Sequence, residues 1–372
     1  MSNKDCNKHL SMRQTGFSLV EIMVGLVIGL LVTLVIMQVF TVFEGQKRST
    51  TGSADAQTNG SIALYTIQRD VQMAGFGLPV FDTVNPPLRC DPSPTIDHDS
   101  NAATPSIDMF PLSITDGGTA AGASDDVAIR YSFTPAGGIP IRLLNAANPV
   151  TVDNNLGCQN NHIVMISQGA SCVMTRVNEN DADLIADTTH ITLASTPPAP
   201  PLNIGSSLAC MGNWNQFTYT IANSQLQRND ASSVVLTPII TGIVNIQAQY
   251  GISATANNNQ VTRWVNATNT NSDGIDWRST ATTPTVANRN RIKAIRIAVV
   301  ARNGLMEKTN VTASCSSITA ATPTGLCAWG GSAASPAPTI DLSNDADWQR
   351  YRYRVFETII PLRNMIWSRN TL

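Results

Sequence analysis

The sequence predicts an α+β fold, with one long N-terminal helix packed on an antiparallel sheet that carries large loop insertions. Three observations lead there: an uncharged run over residues 22–43, a helical repeat that resumes after it, and a change to short alternating segments beyond Gly75. The uncharged run holds 22 residues. At about 1.5 Å per residue it reaches roughly 33 Å, enough to cross the hydrocarbon core of a bilayer. Beyond it, Leu64, Ile67, Val71 and Ala74 recur at spacings of three and four, which extends the helix upward to a cap at Gly75. A helix over 17–74 would measure about 87 Å. Gly45, Gly52 and Gly60, with the Ser/Thr cluster at 49–53, make its middle weak and predict a bend there.

After Gly75 the chain alternates between short apolar runs and loops rich in Pro, Asn, Thr, Ser and Gly. Strands are expected at 127–133, 162–166, 190–193, 217–221, 244–250, 292–301 and 351–362. In the fifth of these, Val244, Ile246, Ala248 and Tyr250 alternate with Asn245, Gln247 and Gln249, predicting one buried face and one wet face. Residues 82–125, 195–206, 254–289 and 320–338 read as loops or insertions. A sheet laid against the upper helix is the economical way to bury both. By length, residues 75–372 form one elaborated head domain.

One acid, Glu21, stands just inside the apolar run. An unpaired carboxylate in lipid costs a few kcal/mol, so it calls for a partner. The residues before Phe17 are polar and carry Lys4, Lys8 and Arg13 against Asp5, so the positive-inside bias keeps them in the cytoplasm and sends the head across. No apolar stretch precedes a small-residue cleavage site, which argues against an ordinary secretory signal.

Charged residues make up 13% of the chain and the formal net charge is -2, so no basic field exists to attract nucleic acid. Of seven cysteines, six lie beyond Gly16: Cys90, Cys158, Cys172, Cys210, Cys315 and Cys327. An even number on the far side of a membrane reads as disulfides. Short spacings favour Cys158 with Cys172 and Cys315 with Cys327, leaving Cys90 with Cys210. No C-x-x-C or neighbouring His arrangement suggests a metal, and no cofactor motif occurs. Arg350, Arg352 and Arg354 alternate along a predicted strand as a solvated or salt-bridged face, with a subunit contact as the rival reading. Asp97, His98 and Asp99 read as a polar loop, His162 and His190 as sheet positions, and residues 269–276 as a turn rather than a calcium loop, since the closing Glu is missing. Nothing points to catalysis.

The string Thr15-Gly16-Phe17-Ser18-Leu19-Val20-Glu21 resembles the processing site of type IV prepilins and pseudopilins. The segments at 67–77 and 351–364 resemble the two ends of the PilW family of minor pilins, with a fair match at 244–250 and 292–302. The resemblance implies a type IV pilin-like fold and a leader, 1–16, cut between Gly16 and Phe17 by a prepilin peptidase that then methylates Phe17. It implies that 17–43 is the membrane and polymerisation segment, and that Glu21 docks on a neighbouring subunit's amine. It further implies a minor pilin that co-assembles with FimU-, PilV- and PilX-like subunits, a large tip adhesin and the major pilin on an inner-membrane assembly platform. Such a protein waits in the inner membrane, N-in and C-out, and ends at the pilus tip; retention of Glu21 implies an interior place in the tip complex. Two rivals stand beside it: a J-type pseudopilin of a type II secretion or DNA-uptake machine, and a membrane-tethered periplasmic enzyme or binding domain.

Overall fold

The computed structural model describes residues 16–78, 95–96, 107–108, 110–134, 138–168, 171–194, 204–230, 236–271, 273–279 and 284–366. The fold is α+β, a long N-terminal helix followed by antiparallel sheets, and it divides into two compact units, 1–51 and 52–372.

The helix runs from Leu19 to Met73 and stops at Gly75, whose φ of 81° suits a residue without Cβ. Asn364 donates to the carbonyls of Gln72 and Ala74 (3.4 and 3.1 Å), groups the helix end leaves without a partner. The chain is helical without interruption through Gly45, Gly52 and Gly60, the stretch expected to be weak. Tertiary packing explains two of the three. In the second unit Gly52, Ala56, Gly60, Ala63, Ile67, Val71 and Ala74 form a buried stripe of small residues giving way to larger ones. A Cβ on Gly60 would fall within the ring of Phe356, and one on Gly52 on the side chain of Asn303. The glycines let the sheet approach the helix closely, at a propensity cost of about 1 kcal/mol each. Leu64, expected in the core, sits only at its margin.

The sheet against this stripe has the order Val261–Val265, Ile243–Ser253, Ile292–Met306, Tyr351–Pro361, every pair antiparallel. The strand expected to be wet on one side is buried on both, with Asn245 at 0% and Gln249 at 1% exposure. Residues 311–350, part of them expected as a loop insertion, cover the sheet's outer face. Leu326, Trp329, Ile340 and Leu342 pack there on Ala298 and Val300, and a Cys315–Cys327 disulfide staples the cover. The amide donors of this strand find partners inside: Gln249 Nε2 donates to Pro336 O and Asn266 Oδ1 (both 2.7 Å), and Asn245 Nδ2 to Ala123 O (2.6 Å), while Gln249 Oε1 is buried without a partner.

One edge of that middle strand is closed by side chains in place of a strand. Ile246 N–H donates to Ser124 Oγ (2.9 Å) and Ala248 N–H to Asp125 Oδ2 (2.8 Å), while Asp125 N–H donates to Ile246 O (2.9 Å). Burial pushes the Asp125 carboxyl up to about 7, against the pull of its two backbone donors, Gly117 and Ala248. A carboxyl raised on folding holds more protons in the native state than in the unfolded one between these values. Its contribution is therefore complete below the unfolded value near 4 and lost as pH rises through about 7. Thermal melts of the detergent-solubilised chain are expected to show a midpoint falling between pH 5 and 8, with the slope flattened in Asp125→Asn. A midpoint rising over that range would contradict this.

A second sheet is built on the long strand Ser207–Ala222. Gly212, with a φ of 83°, sits at a bulge where the strand changes neighbours. Before it the strand pairs with Ile163–Gln168; after it, with Asp126–Phe133. Asn223 and Ser224, both with positive φ, turn it into a hairpin with Gln225–Asp230. Strands at Leu112–Thr115, Ile141–Asn145, Val150–Val152, Ser171–Arg176, Leu236–Thr241 and Val261–Val265 were not expected from the sequence, and lie partly in stretches that read as loops. Ile141, Leu143, Val152, Val164, Ile166 and Leu208 form a core of their own in this region.

That small core is closed by a disulfide between Cys158 and Cys210, whose Cα atoms are 5.1 Å apart. The spacing-based pairings of Cys158 with Cys172 and Cys90 with Cys210 are thereby overturned. Sheet register decides the partner: Cys210 lies opposite Val164, a few residues past Cys158, whereas Cys172 lies on the other flank, opposite Ser167. Cys90 lies outside the described residues. The bond spans 52 residues, for which loop entropy gives about 4 kcal/mol. Cys158→Ser with Cys210→Ser is expected to lower the unfolding free energy of the head by roughly that amount in urea titration.

A candidate assembly site at the N-terminal stem

In the first unit, Gly16, Phe17 and Ser18 precede the helix, which opens at Leu19. Ser18 O accepts from Glu21 N (3.0 Å) and Ile22 N (3.2 Å), and Ser18 N–H donates back to Glu21 Oε2 at 3.4 Å. This is the glutamate half of a capping box, the carboxylate reaching back to the amide of the residue just before the helix, while the Glu21 N–H is held by the Ser18 carbonyl. Glu21 thus has a local role at the helix start, where a carboxylate also suits the positive end of the helix dipole.

The side chains that follow are exposed all round. Phe17 is 79% exposed, and the large apolar residues from Leu19 to Phe43 range from 49% to 74%. Thr33 and Thr41, polar interruptions in this run, donate their hydroxyls to Leu30 O (2.9 Å) and Gln38 O (2.8 Å). Their polar groups are satisfied within the helix, as a lipid environment demands. The helix is long and apolar enough to cross a membrane, and its apolar window has no internal burial. An exposed apolar surface of this length needs lipid or other helices around it. The chemistry available is therefore association: an apolar stem with a single acid at its head.

In the second unit, a charged node ties the helix end to the long strand. Asp70 is 5% exposed and accepts from Tyr219 OH (2.6 Å), with Arg69 at 3.0 Å and Arg228 at 3.8 Å. Burial, then the hydrogen bond to Asp70, pushes the Tyr219 phenol far above its ordinary range; Arg69 is also raised, by its hydrogen bond to Asp70. Arg228 lies over the Phe217 ring at 4.4 Å from its centroid. Nothing in the sequence pattern links these residues, since Tyr219 lies 149 positions from Asp70.

The other sequence candidates fall as follows. Arg350 belongs to a short 3-10 turn rather than the strand, and pairs with Asp347 at 2.9 Å. Arg352 pairs with Glu307 at 2.8 Å, and Arg354 donates to Ser53 Oγ at 3.3 Å. Asp273 accepts from Arg263 and from Trp277 Nε1 (3.1 Å), and Asp276 pairs with Arg278 at 2.7 Å, so guanidinium and indole groups hold the carboxylates of the 269–276 turn. His162 is buried and donates to Gly157 O at 3.2 Å; His190 is half-exposed and pairs with Asp187 at 2.6 Å. Hydrogen bonds from Thr189, then His190, hold the Asp187 carboxyl down to about 2. Asp97, His98 and Asp99 lie outside the described residues. Among the described residues no three His, Cys, Asp or Glu gather as metal ligands.

Residues 211–364 match the family model of Type IV Pilus-assembly protein W, and residues 11–37 match the prokaryotic N-terminal methylation motif. The first match begins at Met211 and so leaves out every residue of the small core closed by Cys158 and Cys210. No curated protein and no solved structure matches the chain.

Proposed function

On the premise that this is a type IV pilus-related, pilin-like protein, we propose that it is a minor pilin that co-assembles with other minor pilins to initiate a pilus and form its tip. The observation that carries the reading is the join, within one chain, of a fully exposed apolar stem headed by Glu21 to a head that matches the pilus-assembly family. A stem with no internal partner for its apolar surface is built for a bilayer first and for neighbouring stems afterwards.

In this reading residues 1–16 are a leader removed between Gly16 and Phe17, residues 17–43 the membrane and polymerisation segment, and residues 75–372 the head. The scissile peptide lies in non-helical backbone two residues before the capped helix, which supports access by a peptidase. The new amine on Phe17, methylated, pairs in the filament with Glu21 of an adjacent stem. The partners are FimU-, PilV- and PilX-like minor pilins, a major pilin, a tip adhesin and the inner-membrane platform. The protein rests in the inner membrane before assembly and at the pilus tip after it. The families matched are structural ones, and among the described residues Asp70, Asp273, Asp276 and Glu307 are held in ion pairs with arginines.

Intact-mass and N-terminal analysis of the protein from its native membrane tests this. A chain beginning at methylated Phe17 is expected; a chain that keeps Met1 to Gly16 would remove the basis for assembly.

A further inference from the structure

The four-stranded sheet treats its two edges differently. Ser124 and Asp125 close one end of the Ile243–Ser253 strand, and Val261–Val265 pairs with the other. The opposite edge is the strand Tyr351–Pro361, which pairs only with Ile292–Met306 among the described residues. Thr312 Oγ1 donates to Tyr351 O (2.6 Å) at its start, and beyond that point the strand carries ten residues. At about 3.4 Å per residue they offer roughly 34 Å of backbone along which every second N–H and C=O points outward.

Proteins usually guard such an edge with charges. Here the charges are engaged within the head: Arg352 with Glu307 (2.8 Å) and Glu357 with Arg296 (2.9 Å). Arg354 reaches only the neutral hydroxyl of Ser53, with no carboxylate within salt-bridge distance among the described residues. At the other end of the strand Ile359 is 52% exposed. Among the described residues, the edge therefore presents a cation with no carboxylate in reach at one end and an exposed aliphatic side chain at the other.

We propose that this edge takes up an extended segment of a different subunit as an added antiparallel or parallel strand, acidic where it passes Arg354 and aliphatic where it passes Ile359. A second copy of this chain fits poorly. Laid antiparallel, the register that brings Glu357 opposite Arg354 sets Ile359 against Arg352, so the two ends are not met together, and laid parallel in register it would set arginine against arginine. Backbone hydrogen bonds would supply affinity and the two ends specificity. The proposal rests on the assembly reading above.

Proline at two adjacent positions tests it, because neighbouring N–H groups of a strand point to opposite sides. Of Thr358→Pro and Ile359→Pro, one removes a bond inside the sheet and the other only an outward donor. The full-length chain is expressed with its pilus machinery, and its amount in sheared surface filaments is compared with its amount in the membrane. The proline variant that keeps the wild-type melting midpoint in detergent is expected to fall at least tenfold in the filament fraction. Arg354→Glu, on an exposed side chain, is expected to fall as well and covers the case in which both prolines unfold the head. Either folded variant reaching filaments at the wild-type level would overturn the proposal, as would cysteine cross-links at Thr358 joining two copies of this chain. Absence of the wild-type chain itself from filaments would instead overturn the assembly reading.

Discussion

Glu21→Gln is expected to remain in the membrane, correctly processed, and to be nearly absent from filaments. The reason lies in two roles that this carboxylate combines. In the isolated chain it accepts the Ser18 N–H that begins the helix, and a glutamine amide oxygen can accept the same bond. Glutamine therefore keeps the cap and loses the charge. If the charge docks on a neighbouring amine in lipid, its removal leaves that amine uncompensated, at a cost of about 3 kcal/mol or more. That corresponds to a hundredfold or greater loss of incorporation. Glu21→Ala removes both roles, and the cap adds about 1 kcal/mol. Quantitative immunoblots of sheared filaments against membranes separate the cases. Glutamine incorporated like wild type, with alanine excluded, would reassign Glu21 to capping alone.

Asp70→Ala is expected to be the most damaging single polar substitution in the head. It strands the Tyr219 hydroxyl, which has no exposure to water, and takes the counter-ion from Arg228. Arg69 adds little, because its side chain is 60% exposed and screened by solvent. A buried acceptor lost together with its partly buried ion pair costs about 3 kcal/mol. For a domain of this size that is a fall of about 6 °C in Tm. Tyr219→Phe is expected to cost less, about 1 to 2 kcal/mol, since Asp70 keeps its arginines. A double-mutant cycle should return a coupling of about 1 kcal/mol or more between Asp70 and Tyr219. Additive effects would show that the helix end is held by packing alone.

The two variants probe different levels of the design. Glu21 concerns how one stem meets another, and a defect there leaves the head folded. Asp70 concerns how the helix end is fixed to Ser207–Ala222, and a defect there shows in melting before it shows in assembly. The Cys158–Cys210 lobe, which lies almost wholly outside the family match, offers a third level.

Local signals were legible where a single stretch of chain carries the physics. The apolar run, the helical repeat to Ala74, the cap at Gly75 and the strands near 127–133, 244–250, 292–301 and 351–362 all follow from periods that a short window reveals. Gly16, Phe17 and Glu21 stand out in the sequence for the same reason. Other features misled because their cause is a distant residue. Gly52 and Gly60 read as helix weakness, yet Asn303 and Phe356 occupy the space their missing side chains leave. Asn245, Gln247 and Gln249 read as a wet face, yet all three are buried, with Ala123 accepting from the first two and Pro336 from the third. The strand Gln225–Asp230 is too polar to announce itself, and forms because Asn223 and Ser224 fold it onto Ser207–Ala222.

By itself, then, the amino-acid order determined an apolar helical stem with one acid at its head, an α+β class and a β-rich head, since each depends on composition and period along the chain. Tertiary structure alone decided the Cys158–Cys210 bond, the Asp70–Tyr219 contact and the place of Tyr351–Pro361 at a sheet edge among the described residues. These arise when strand register brings together residues 52, 149 or more positions apart, and a pairing at that distance leaves no periodic trace in the sequence.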